Sequence, residues 1–404
     1  MARRRTESRS QNTRSAEALT PTEEPRAARP YDIIDLIIPV HNQRQLTLAC
    51  LAAVRSASVQ AHYEIVVVDD ASTDKNLLDD LAQDQAAGRI TLLTNETNLG
   101  FTLSVNRGMR LHTDRDVVLL NNDTLVFDGW LDRLHNAAYS RPRVASVNPL
   151  TNASHISCYP YRSANGTVRF EVPDAEISRM AGEVNAGRAA EVHTTVGFCM
   201  YIRRQSLNDI GLFDAIHFPV GYGEESDFCY RARRLGWQHL VTGDSFVRHW
   251  EGQTFGESKM QRIREMIEIF TRLHSDLAQR DREFAERDPV GPLRARLDLA
   301  RLRHKLAGTD GIAVVGAGAS CQDGVGPHLQ IDSESGVMRW SVPTSDTLIN
   351  LPVYALPHDV ARLNANLDYL GVLSLRFADS SLRTWFAERL QGRPFEMTIF
   401  ASLV

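Results

Sequence analysis

"DVVLLNNDTLVFDGW", residues 116–130, decides the fold. Val117 to Leu120 form a continuous apolar run, the pattern of a strand buried on both faces. It stops on Asn121-Asn122-Asp123, three side chains that are costly to bury. Such a strand ends this way where it leaves a core at the edge of a sheet. The same texture repeats upstream. "DLIIPV", "YEIVVVDD" and "ITLLTNE" are apolar runs bounded by turn residues, separated by the helix-like stretches "QLTLACLAAVRSAS", "DKNLLDDLAQDQAAG" and "SVNRGMRLHT". Repeated βα units of this kind predict an α/β fold with a mostly parallel central sheet, wound on both faces.

The rest of the chain divides by composition. Residues 1–30 are arginine-rich and almost free of large apolar side chains, which predicts a disordered basic tail suited at most to anionic headgroups. Residues 257–308 are charged and helix-prone, interrupted at Pro289 and Pro292, and read as a helical linker between residues 31–256 and a C-terminal segment, 309–404. That last segment opens with "GIAVVGAGAS", in which Cys321 stands where a third glycine of a dinucleotide fingerprint would fall. An accessory domain is the alternative reading.

A net charge of −5 and a pI near 6.2 give no basic surface for nucleic acid. Five cysteines without CxxC spacing suit reduced thiols and a cytoplasmic setting. No apolar run approaches bilayer length, so any membrane association is expected to be peripheral.

Polar groups that end parallel strands gather at the carboxyl edge of the sheet, where ligands bind. Three clusters qualify: Pro39-Val40-His41-Asn42, Asp69-Asp70-Ala71-Ser72 and Asn121-Asn122-Asp123. Each alone could be a turn or a helix cap; Asp70 or Ser72 would serve as an N-cap. Downstream, "GYGEESDFCYRARRLGW" sets Glu224, Glu225 and Asp227 in the first turn of a helix whose apolar positions include Phe228, Ala232 and Leu235. The helix dipole accounts for some of these acids, but like charges packed together also raise a pKa, which suits a general base. "DSFVRHWEG" then ends a strand-like run on His249.

Taken in order, "IIPVHNQ", "EIVVVDDASTD", "NLGFTLSVNRGM", "LLNNDTLVFDGWLDRL", "GFCMYIRR" and "GYGEESDFCYRARRLGW" followed by "VRHWEG" resemble the family 2 glycosyltransferases. The resemblance implies a GT-A fold and an inverting transfer from a nucleotide diphosphate sugar, UDP- or dTDP-linked, to a hydroxyl of a saccharide or lipid-linked saccharide in bacterial surface polysaccharide synthesis. It implies a divalent cation, Mg2+ or Mn2+, held by Asp123 and His249. The sheet-end motif of the family is often Asp-x-Asp, and here only the last acid is kept. Glu225 falls at the position of the catalytic base, with Glu224 as its rival. Pro39, His41, Asp69, Asp70, Asn98, Gly100, Arg107, Asn121 and Asn122 fall on the donor side, with Arg107 toward the diphosphate. Gly197 and Phe198 fall on the acceptor side, and Trp130 and Trp250 are candidates to stack on sugars. The C-terminal segment faintly resembles the start of a GT-B glycosyltransferase. Self-association is left open, and the alternative function is a carbohydrate-binding or scaffold subunit of the same fold.

Overall fold

The computed structural model describes residues 33–166, 168–219, 221–250 and 257–307. Beyond these it describes segments 312–316, 328–332, 337–341, 353–355, 359–372, 374–377 and 396–399, with isolated positions near 381–388. The basic tail, Cys321 and most of "GAGAS" lie outside the described residues.

Strands and helices alternate as the sequence predicts: β1 (Ile34–Val40), α1 (Arg44–Ser56), β2 (Tyr63–Asp69), α2 (Lys75–Ala86), β3 (Thr91–Thr94), α3 (Phe101–Met109) and β4 (Val117–Leu120). The chain continues through β5 (Thr124–Leu125), α4 (Trp130–Ala138), β6 (Val144–Thr151), the short pair β7 (Ala153–Ser154) and β8 (Ala164–Asn165), α5 (Asp174–Val184), β9 (Ala189–Val192), β10 (Cys199–Ile202), α6 (Arg204–Ile210), α7 (Glu224–Arg234) and β11 (Gln238–His249). The central sheet runs β3-β2-β1-β4-β10-β6-β11-β5, with β9 paired on β11. β1 to β4 are mutually parallel, β6 and β11 are parallel, and β10 lies antiparallel between the two groups.

Alternation along the strands sorts the core. Leu36, Ile38, Val67, Val118 and Leu120 pack on one face, and Ile37, Val66, Val68, Val117 and Leu119 on the other. This explains the unbroken apolar runs. α3 seats closely on β1 because Gly108 has no Cβ; one added there would lie 2.7 Å from Ile37 Cγ2.

Several local readings shift. α3 starts at Phe101, three residues before the pattern suggests, with Gly100 at φ 84° as its N-cap. The cap of α2 is Asp74, which accepts from the N–H groups of Asn76 and Leu77; Asp70 and Ser72 do other work. Leu235 is the exposed C-cap residue of α7 instead of a core position.

The segment read as a linker forms α8 (Glu257–Leu273), α9 (Leu277–Arg287) and α10 (Gly291–Leu306). α10 is no free connector. Leu293 and Leu297 join Leu150, Ile177, Val241 and Phe246 in one hydrophobic cluster. Its charges misled because they are buried in pairs: Arg301 donates to Glu171 Oε1 at 2.8 Å and to the Tyr159 hydroxyl at 2.9 Å, and that hydroxyl donates to Asp298.

A second sheet follows, β15-β14-β13-β12-β16-β17, from β12 (Ile312–Gly316), β13 (His328–Asp332), β14 (Val337–Ser341), β15 (Val353–Ala355), β16 (Ser374–Phe377) and β17 (Glu396–Ile399), with α11 (Val360–Leu370) between β15 and β16. Among the described residues no helix is long and apolar enough to cross a membrane.

Candidate active site at the carboxyl edge of the sheet

The strand order turns at β1 and β4, the switch point where a doubly wound sheet opens a crevice at its carboxyl edge. Pro39 sits in that opening. Asp35 N donates to β4's neighbour Asp116, while the Val40 carbonyl accepts from Asp70 on the other side, so alternation turns the Pro39 nitrogen toward β4. The β1–β4 ladder has ended at Ile37–Leu119, and the missing N–H costs no ladder bond.

The loops after β1 and β2 are fastened together. Asn42 N donates to Ser72 Oγ at 2.8 Å, and Asn42 Oδ1 accepts from the N–H groups of Thr73 at 2.8 Å and Asp74 at 3.1 Å. Asn42, Gln43 and Ala71 all take left-handed backbone, φ 58°, 58° and 57°. Such strain in residues other than glycine concentrates where surrounding contacts over-determine a site.

Asp70 is the centre of the residues expected on the donor side. Its buried carboxylate accepts from Asn95 Nδ2 at 2.8 Å, Leu99 N at 2.7 Å and Gly100 N at 2.8 Å, which fixes the loop into α3. His41 Nδ1 lies 2.8 Å from the Asp70 carbonyl and 3.2 Å from Asn98 Nδ2, bringing three predicted residues together. Asp69 accepts from Ser72 N at 3.2 Å, and its buried Oδ2 has no hydrogen-bond partner among the described residues. Arg107 is engaged elsewhere: its guanidinium donates to the Thr94 carbonyl at 2.6 Å and Asn95 Oδ1 at 2.5 Å, holding the end of β3.

β4 ends at Leu120 and the chain turns through the polar triplet. Asn121 N donates to the Phe198 carbonyl at 2.8 Å, and Asn122 Nδ2 donates to Thr47 Oγ1 at 2.9 Å. β5 then pairs with the end of β11, setting Thr124 opposite His249. This register brings Asp123 Oδ1 to 3.4 Å from His249 Nε2. Asn152, which no sequence pattern singles out, brackets the histidine backbone, accepting from its N–H at 2.8 Å and donating to its carbonyl at 2.9 Å. The ring stacks on Phe198 with centroids 5.2 Å apart. Nδ1 faces the Ala153 carbonyl at 3.3 Å, which orients Nε2 toward Asp123, the arrangement that a metal-binding histidine adopts.

α7 begins after a turn that its glycines permit, Gly221 at φ 100° and Gly223 at φ 134°. Phe101 links this turn to the donor side: a Cβ on Gly197 would lie 3.3 Å from its ring, and one on Gly221 would lie 3.5 Å from its Cβ. Glu224, 3% exposed, has a carboxyl held well above the ordinary range, first by burial and then by the charge of Glu225. One oxygen of each glutamate is buried without a hydrogen-bond partner among the described residues. Asp227 is structural; it accepts from Arg231 Nε at 2.7 Å and binds His274 Nε2 at 2.9 Å, tying α7 to the end of α8.

Of the two tryptophans, Trp130 is 1% exposed in the core, out of reach of a sugar, whereas Trp250 is 38% exposed with the Arg248 guanidinium 4.7 Å from its ring centroid. Another acidic grouping, Asp35, Glu64 and His112, lies at the opposite edge of the sheet. Arg115 bridges Asp35 at 3.2 Å and Glu64 at 2.7 Å, so it is a closed ion-pair network.

A family model described as glycosyltransferase like family 2 matches residues 30–267. The N-acetylglucosaminyl-diphospho-decaprenol L-rhamnosyltransferase of Mycobacterium tuberculosis is 25% identical over 237 residues, covering 54% of this chain and 74% of that protein. An N-acetylglucosaminyltransferase of Mesorhizobium japonicum is 24% identical over 209 residues, covering 51% and 47%. A Drosophila melanogaster protein called "Putative polypeptide N-acetylgalactosaminyltransferase 13" is 30% identical over 142 residues, 33% of this chain; the match spans 25% of that protein's length. Among solved structures, GalNAc-T7 with UDP, GalNAc and Mn2+ is similar at a TM-score of 0.44 and 17% identity, covering 56% of this chain and 44% of that one. The family model covers more than half of the sequence, from just before β1 to within α8, and the chain therefore belongs to glycosyltransferase family 2.

Proposed function

We propose that the chain is an inverting glycosyltransferase that moves a sugar from a nucleotide diphosphate sugar to a saccharide hydroxyl, with a divalent cation. The observation that carries this reading is the meeting of Asp123 and His249, 126 positions apart in sequence, at 3.4 Å on the edge where β1 and β4 part. Two ligands of one octahedral cation are about 3 Å apart when each bond is about 2.1 Å. Asp123 Oδ1 is buried without a hydrogen-bond donor among the described residues, and the histidine presents Nε2 to the same space. The pair fits Mg2+ or Mn2+. Asp123 and His249 would hold a cation there, and it would supply neutralising charge for the departing diphosphate.

In this reading the residues of the chain do the rest. His41, Asp69, Asp70, Asn98 and Gly100 frame the nucleoside side of the crevice, and Asn121 or Asn122 hydrogen-bonds the ribose or sugar. Glu225 takes the proton from the acceptor hydroxyl as it attacks the anomeric carbon. Glu224, whose carboxyl burial holds above the ordinary range, helps to orient the acceptor or the base. The M. tuberculosis relative is named for transfer to a diphospho-decaprenol-linked sugar, which supports a lipid-linked saccharide acceptor. In this reading the setting is surface polysaccharide synthesis at the inner face of the membrane.

The test is transfer from a panel of UDP- and dTDP-sugars, rhamnose and N-acetylglucosamine among them, with Mg2+ or Mn2+, to lipid-linked acceptors. Metal-dependent transfer from at least one donor is expected. Sugar binding with no transfer across the panel would favour a carbohydrate-binding subunit of the same fold.

A further inference from the structure

The turn that leads into α7, and so carries Glu224 and Glu225, has three successive residues at positive φ: Gly221 at 100°, Tyr222 at 67° and Gly223 at 134°. With two glycines it has little stiffness of its own. The end of α8 pins it from both sides. Upstream, Phe218 packs with Phe270 and Tyr230 in one buried cluster, and its carbonyl accepts from Thr102 Oγ1. Downstream, Asp227, Tyr230 and Arg234 lie on one face of α7 at helical spacing, and all three meet His274. The family match ends at residue 267, so Phe270 and His274 lie beyond it.

His274 is 2% exposed, and both of its ring nitrogens are engaged. Arg234 lies 3.1 Å from Nδ1. A guanidinium can only donate, so Nδ1 accepts and the ring proton sits on Nε2, which donates it to Asp227 Oδ1 at 2.9 Å. Asp227 Oδ2 accepts from Arg231 Nε at 2.7 Å, and the rest of that guanidinium donates to the carbonyls of Ile210 and Leu212, both at 2.9 Å. Asp227 is thus held from two directions. Its own N–H donates to the Gly223 carbonyl at 2.8 Å, which closes the first turn of α7 around Glu224 and Glu225. We infer that His274 is a positioning residue for the proposed base: acting through Asp227, it fixes the start of α7 and with it the direction of the Glu225 carboxylate. The inference rests on the reading of Glu225 as that base.

A double-mutant cycle on the full chain, run with the donor that supports transfer, tests this. His274→Ala should lower kcat by about tenfold or more, because a small displacement of a positioned group is costly, with the donor KM and the binding of Mn2+ with UDP unchanged. In the Glu225→Gln background the same substitution should cost less than about twofold. His274→Gln, which can return a donor to Asp227, should recover most of the rate. His274→Asn, which puts no donor at the Nε2 position, carries the cycle if the alanine variant does not fold. An equal loss in both backgrounds, a raised donor KM with kcat unchanged, or a His274→Gln variant as slow as His274→Ala would overturn the inference while Glu225 stands as the base. Failure of the base reading itself shows differently, as a parental rate in Glu225→Gln alone, and would remove this inference with it.

Discussion

Glu224 and Glu225 are neighbours in sequence with different surroundings, and the difference makes them separable. Burial and then the charge of Glu225 push the Glu224 carboxyl toward its neutral form, so the neutral isostere in Glu224→Gln should lower kcat by less than about tenfold. Glu225→Gln removes the proposed acceptor of the hydroxyl proton and should lower kcat by about 10²–10⁴-fold with little change in the KM for donor. Steady-state kinetics on the two variants decide the assignment, and the reverse order would make Glu224 the base. Asp70 makes a third residue-scale prediction. With three N–H donors on its carboxylate, Asp70→Asn turns one amide N–H toward a donor and should cost about 2–3 kcal/mol in urea unfolding. Unchanged stability would show that the loop into α3 is held by other contacts. The residues that end strands in conspicuous polar clusters were legible from sequence. Asn95 and Asn152 were not, because a lone asparagine gives no periodic signal and the group that Asn152 brackets lies 97 residues away.

Among the elements, the early strands and helices could be read because β1, β2 and β4 are buried on both faces and the helices between them present one apolar face to the sheet. α10 could not, since its arginines look solvent-bound until their partners on other segments are known. Its packing predicts that Leu297→Ala costs about 2–5 kcal/mol, measurable in denaturant unfolding; a cost below 1 kcal/mol would mean that α10 is a detachable linker after all. Asp298 gives the same helix a pH signature. Burial raises its carboxyl to about 7, against the pull of Arg301 and Tyr159. The folded chain thus keeps a proton that the unfolded chain releases near the ordinary carboxylate value. Stability from this group is complete below that value and is lost as pH rises toward 7. In Asp298→Asn the fall in stability between about pH 4 and 7 should be shallower than in the parent. An identical slope would place the proton elsewhere.

On the scale of the whole molecule, the sheet is what turns scattered motifs into a site. Parallel strands deliver the ends of β1, β2 and β4 to one edge, and the β5–β11 pairing brings His249 back to Asp123. Sequence shows the motifs and their order; it does not show the register that joins Asp123 to His249, nor that Arg107 is spent on the end of β3. Two carboxylate–histidine groupings result, on opposite edges, and the proposed cation belongs to Asp123 and His249. Mn2+ binding in the presence of UDP, followed by the electron paramagnetic resonance of the free ion, separates them most directly. Asp123→Asn and His249→Ala should each weaken Mn2+ binding at least tenfold, with Glu64→Gln indistinguishable from the parent. Loss of binding in Glu64→Gln with full binding in Asp123→Asn would contradict the account.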